Sequence, residues 1–220
     1  IMDLAPPADP QAVPPLAIPA GSTPIALLPG SRFPECLHNL LLLARLCQVL
    51  ERLAPERSWC FHAAVLRGTE GAALMALAAA QGWSLEPGRF CSSDGRVQVL
   101  LRSDAFAPIL RSSALVLGMA GTAVEQAVGL GKPVVQIPGR GPQFSYAFAE
   151  AQMRLLGPAV FTVGTGPAGP AELEQAAALI QQLLADPGLP ERCAAIGLER
   201  VGPAGGSHGI AEAVLEALRS

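Results

Sequence analysis

The sequence predicts a doubly wound α/β domain: a parallel sheet of about six strands with helices on both faces. Two observations predict it. Short apolar runs and helical stretches alternate six times with short connections, and parallel neighbours need a crossover that is usually helical. Half of the 220 residues are apolar and only 15% are charged, enough for a sizeable core and contrary to a disordered or coiled-coil chain.

Residues 1–22 stand apart. Prolines at positions 6, 7, 10, 14, 15, 19 and 24 speak against a helix or a central strand and predict an extended, polyproline-like tail or interdomain linker. The domain proper then runs from 23 to 220. Ile25–Leu28 reads as a buried strand stopped by Pro29-Gly30. Pro34–Leu53 reads as a helix whose apolar face is built from Leu37, Leu40, Leu41, Leu43, Ala44 and Leu50. A second strand is predicted at Trp59–Val65, an alanine-rich helix at Gly71–Gln81, a third strand at Arg96–Leu101 and a short helix at Ala105–Arg111. Strand Ala114–Leu117 leads to helix Ala123–Leu130, and strand Pro133–Ile137 to helix Phe144–Leu156. Strand Val160–Val163 precedes helices near 171–185, 190–199 and 209–219.

Composition removes several functions. The formal charge is −3, with 15 basic against 18 acidic residues, so the basic surface of a nucleic-acid binder is missing. Aromatics, at 5%, are too sparse for a stacking platform. The leucine-rich stretch 40–46 is interrupted by Arg45 and is far shorter than a membrane span, and no signal-peptide pattern opens the chain. Cys36, Cys47, Cys60, Cys91 and Cys193 lack metal or redox spacing and read as buried free thiols of a reducing compartment. His38, His62 and His208 have no ligand-spaced partners, so no metal site is expected; His62 reads as core. The chain starts at Ile1 rather than Met, as a fragment or a processed chain would.

Ligands of an open parallel sheet bind at the carboxyl ends of its strands. Three loops there carry candidate chemistry. In Leu28-Pro29-Gly30-Ser31-Arg32, Gly30 permits a tight turn, Ser31 offers a hydroxyl, and Arg32 a fork for phosphate at a helix start. The same residues also read as a glycine turn with a serine cap and a solvated Arg. In Gly118-Met119-Ala120-Gly121-Thr122, Thr122 and Glu125 have capping-box spacing. Alternatively the glycines admit a phosphate, and Glu125, acceptor-only, holds the two hydroxyls of a ribose. The third loop, Pro138-Gly139-Arg140-Gly141-Pro142-Gln143, suits a diphosphate or a sugar, or is an ordinary polar loop. Strand ends at one sheet edge lie close together, so the three loops are expected to converge.

Ile25-Ala-Leu-Leu-Pro-Gly-Ser-Arg32 with Glu35 resembles the opening of the nucleotide-binding half of bacterial lipid-A-disaccharide synthase. Gly121-Thr-Ala-Val-Glu125, shortly before Lys132-Pro133, resembles that enzyme's second motif. The runs Gly131-Lys-Pro-Val-Val-Gln-Ile-Pro138 and Gln143-Phe-Ser-Tyr-Ala-Phe-Ala-Glu-Ala-Gln152 are similar to a lipid-A-disaccharide synthase-related group. The resemblance covers roughly residues 23–219. It implies one Rossmann-like half of a GT-B glycosyltransferase, the half that binds a UDP-sugar donor and needs no metal or other cofactor. By carry-over, Gly30, Ser31 and Arg32 meet the phosphates, Gly121 and Thr122 line the diphosphate, and Glu125 takes the ribose. Gln143 reaches the sugar or the β-phosphate, and the base meets the chain near Leu101-Arg102-Ser103. The acceptor half and its general base are missing, so no catalytic residue is assigned and this chain alone is expected to be inactive. The resemblance implies a cytoplasmic protein, any contact with a membrane's inner face running through the missing half. Two alternatives stay open: half of a UDP-sugar 2-epimerase, and a non-catalytic nucleotide-sugar binding module.

Overall fold

The computed structural model describes residues 1–5, 16–141 and 144–219. In chain order it has β1 (Thr23–Leu28), α1 (Glu35–Leu53), β2 (Trp59–Ala64), α2 (Ala72–Ala79), β3 (Trp83–Glu86) and β4 (Arg89–Ser92). There follow β5 (Gln98–Arg102), α3 (Phe106–Ser112), β6 (Leu115–Gly118), α4 (Thr122–Gly129), β7 (Val134–Gln136) and α5 (Tyr146–Leu156). The chain closes with β8 (Val160–Thr162), α6 (Pro170–Ala185), α7 (Leu189–Arg200) and α8 (Gly206–Arg219).

The strands form one sheet in the order β3-β4-β5-β2-β1-β6-β7-β8. The six from β5 to β8 are all parallel, as the alternation predicts. Numbered among themselves in chain order, they run third, second, first, fourth, fifth, sixth, the Rossmann arrangement. Winding therefore reverses between β1 and β6. Right-handed crossovers leaving β1 one way and β6 the other put α1 and α4 on opposite faces. α6 packs beside α1, and α7 beside α4 and α5.

The sheet has eight strands rather than six. The extra pair, β3 and β4, is an antiparallel hairpin added at the β5 edge. Each strand is only four residues long, too short for a clear period, and its stability comes from tertiary packing: Trp83 and Phe90 stack with ring centroids 4.7 Å apart. The signal was Pro87-Gly88 between two mixed runs, with Gly88 at φ +71°. A second correction concerns Pro24. It lies inside the central strand β1, one residue from its start, where a missing N–H is tolerated, and its carbonyl accepts from Ala114.

Pro6, Pro7, Pro10, Pro14 and Pro15 of the expected linker lie outside the described residues. Residues 1–5 rest on α4 and α8: the Ile1 carbonyl accepts from Gln126, and Asp3 accepts from the backbone N–H groups of Gly205 and Ser207 and from the Ser207 hydroxyl. All five cysteines are buried and free. No described helix is long and apolar enough to cross a membrane.

Candidate functional site

A crevice of about 670 Å³ opens at the carboxyl ends of β1, β2, β5 and β6, where the winding reverses. Gly30, Ser31, Arg32, Arg102, Gly121, Thr122 and Glu125 all line it, brought together from three strand ends. Gln143 lies outside the described residues.

The β1–α1 loop forms one wall. Gly30 sits at φ +92°, and a Cβ there would stand 3.0 Å from the Met119 carbonyl oxygen, so both the turn and the approach of the facing loop require glycine. Behind it, the buried Asn39 amide of α1 donates to the Pro29 carbonyl at 3.0 Å. The helix begins at Glu35 with Pro34 as its cap, so Ser31 is not a helix cap. Ser31, Arg32 and Phe33 instead occupy an exposed turn before the helix.

The β6–α4 loop forms the facing wall. Its N-cap is Gly121, not Thr122, and no side-chain hydrogen bond caps the helix, so the expected capping box is not formed. The physical reason is register: Thr122 is already the first helical residue, which sets Glu125 one position too late to reach back. The amide N–H groups of Ala120, Gly121, Thr122 and Ala123 meet no acceptor among the described residues. A loop and helix start of this kind is a ready acceptor of anions. Glu125 follows on the cavity side of α4, half-buried.

Arg102, at the end of β5, lines the third side and is exposed. Its guanidinium pairs with Asp104 at 3.0 Å, and that hydrogen bond leads the causes that hold the Asp104 carboxyl below its usual range. Burial, with Arg102 adding a smaller push, lowers the pKa of His62. His62 is 2% exposed, with its ring near the Cys60 sulfur, a core residue as its place in an apolar strand predicts.

The third loop does not join the cavity wall within its described residues. Gly139 and Gly141 pack closely on Asn39 and Glu35 of α1, while Arg140 turns to a separate groove between α1 and α6. The backbone N–H of Gly139 donates to the Phe144 carbonyl at 2.9 Å, which folds the loop back on itself. Sequence reasoning also missed Asn39, Leu66, Phe106 and Phe148, which line the crevice from α1, the β2–α2 connection, α3 and α5. Asn39 alone left a signal, a polar residue on the apolar face of a buried helix.

No family model and no curated protein matches the chain. Solved structures do. One is a glycotransferase of kitacinnamycin, at 20% identity and a TM-score of 0.52, matching 90% of this chain and 44% of that one. Another is a putative UDP-N-acetylglucosamine 2-epimerase from Listeria monocytogenes, at 16% identity and a TM-score of 0.56, over 90% and 46%. A third is the UDP-GlcNAc 2-epimerase of Neisseria meningitidis bound to UDP-GlcNAc, at 18% identity and a TM-score of 0.52, over 88% and 45%. The chain thus has the fold of one half of these proteins and spans less than half of their length. None of the three is described as a lipid-A-disaccharide synthase.

Proposed function

We propose that this chain is the donor-binding half of a GT-B glycosyltransferase and takes a UDP-sugar in the β1–β6 crevice. The observation that carries the reading is the row of four amide N–H groups, Ala120 to Ala123, without acceptors among the described residues and set across the crevice from the Gly30 turn. Such a row, at a helix start, is suited to a diphosphate. The crevice volume lies within the range of small-molecule sites. The similar Neisseria structure was solved with UDP-GlcNAc, which makes that compound the first donor to test.

In this reading the amides and Arg32 hold the diphosphate, and Glu125 accepts from both ribose hydroxyls. The base lies toward Arg102 and Ser103. When the sugar leaves, charge grows on the diphosphate; preorganised N–H dipoles and a guanidinium favour that charge without a metal. The acceptor and the group that deprotonates it come from outside this chain, as the motif resemblance to lipid-A-disaccharide synthase implies.

Titration calorimetry with UDP, uridine and ADP tests the reading. Saturable UDP binding is expected, weaker for ADP and weaker again for uridine. No preference for UDP over uridine would overturn it. The epimerase reading is favoured by two of the three structures above. Incubating the full protein with UDP-GlcNAc separates the two: epimerised sugar nucleotide supports the epimerase, transfer to an acceptor the glycosyltransferase.

A further inference from the structure

Behind the β6–α4 loop lies a chain of buried amides. Gln136 on β7 is fully buried and Gln152 on α5 is 5% exposed. The side-chain NH2 of Gln152 donates to the carbonyls of Ala120 at 3.2 Å and Gly121 at 3.1 Å. Its oxygen accepts from the NH2 of Gln136, whose own oxygen accepts from the Thr162 hydroxyl of β8 at 3.2 Å. The directions are forced from one end. Backbone carbonyls only accept, so Gln152 must present its NH2 to them; Gln136 must then present NH2 to Gln152, leaving the hydroxyl to donate.

We infer that Gln152, oriented by Gln136 and Thr162, is a positioning residue for the anion-binding loop. Two trans peptides carry the argument. In each, the N–H points opposite to the C=O, and among the described residues the only cis bond is Phe33–Pro34. Holding the Ala120 and Gly121 carbonyls toward α5 therefore turns the Gly121 and Thr122 N–H groups away from it. Gly121 and Thr122 both line the crevice. The Gly121 carbonyl is also held by the Val124 N–H of α4 at 2.9 Å. The Ala120 carbonyl has only Gln152 among the described residues, so without the clamp the Ala120–Gly121 peptide is the one released to turn its carbonyl toward the phosphates. One amide thus fixes the sign of the Gly121 N–H dipole that the ligand meets. The inference rests on the proposed nucleotide site for its ligand, but not for its effect on the loop.

The test uses Gln152→Met, Gln136→Met/Gln152→Met and Gln152→Glu, each read with and without UDP. Met matches the shape of Gln but cannot donate. The single variant leaves the Gln136 NH2 buried without its acceptor, while the double variant removes both partners of that bond and recovers part of the thermal stability, the Thr162 hydroxyl still lacking its acceptor. Both are expected to bind UDP about tenfold more weakly or worse, since neither restores the clamp. Gln152→Glu is expected to lose affinity at neutral pH and regain part of it relative to wild type as the pH falls, because only the protonated acid donates to a carbonyl. In the ligand-free variants, backbone amide resonances of residues 119–123 should shift while those of the β1–α1 loop stay. A double variant with wild-type UDP affinity and unmoved 119–123 resonances would overturn the positioning role. If wild type fails to bind UDP, the nucleotide proposal falls, and the ligand-free resonances still decide this one.

Discussion

The two loops that face each other across the crevice are each held by a buried amide but present different chemistry to it. The β1–α1 loop is held by Gly30 at positive φ against the Met119 carbonyl and by the buried Asn39 amide on the Pro29 carbonyl, and it carries exposed side chains, Ser31, Arg32 and Phe33. The β6–α4 loop is held by buried side chains of two other elements and offers the crevice mainly N–H groups. One wall brings an exposed charge, the other backbone dipoles. A ligand group whose place must not vary, such as a diphosphate, is best oriented by the second and neutralised by the first.

The largest expected effect separates the two walls through their glycines. Gly30→Ala puts a Cβ at φ +92° and 3.0 Å from a backbone oxygen, and should cost about 1–3 kcal/mol in chemical denaturation. Gly121→Ala meets only the Phe148 ring at 3.8 Å with ordinary φ, and should cost less than about 1 kcal/mol. Equal losses would mean that both loops depend on glycine geometry alike.

Next comes Arg32. Arg32→Ala should weaken UDP by about 1.5–3 kcal/mol and leave uridine unchanged, and Arg32→Lys should lose less, keeping the charge but not the fork. Calorimetry at two salt concentrations reads this; equal UDP affinity for wild type and Arg32→Ala would remove the side chain from the site.

A smaller effect is expected at Glu125, because the removed group keeps its shape. Glu125→Gln should weaken UDP by about 0.5–1.5 kcal/mol without a change in melting temperature, since Glu125 does not cap its helix. Equal losses for UDP and for pyrophosphate would contradict the ribose role.

The smallest lies outside both loops. Hydrogen bonds from the Ser207 side chain, then from the Gly205 and Ser207 backbones, lower the Asp3 pKa from 3.8 to about 2. A carboxyl depressed on folding stabilises above its unfolded pKa, so this hold on α8 is complete above about pH 4 and is lost as pH falls through 2. The Asp3 carboxyl resonance should titrate in that window, and Asp3→Asn should abolish the transition without touching UDP affinity.

The parallel core was legible because each of its strands is a short apolar run followed by a helix with one apolar face, as in Ile25–Leu28 and the Leu37–Leu50 stripe. The hairpin was not, since Trp83–Glu86 and Arg89–Ser92 owe their strand state to packing at a sheet edge. For the site, glycines marked the two loops that form the crevice, but spacing misread what holds them. Thr122 and Glu125 look like a capping box in sequence, whereas the loop is held by Gln152, thirty-one residues from Gly121. Arg140 looked like a third arm of the site because it sits between glycines in a loop that follows a strand; the packing of Gly139 and Gly141 on α1 directs it elsewhere. Contacts between residues so distant in sequence leave no local pattern to read.

The central claim is that the β1–β6 crevice binds the diphosphate of a uridine nucleotide through the Ala120–Ala123 amides. An amide-resolved nuclear magnetic resonance titration of the isotope-labelled chain with UDP tests it directly. The account predicts saturable shifts concentrated at Gly30 and at Gly121, Thr122 and Ala123, with those of 120–123 reproduced by pyrophosphate and absent with uridine. Shifts centred instead on Arg45, Arg96 and Arg140 of the α1–α6 groove, or none at all, would contradict it.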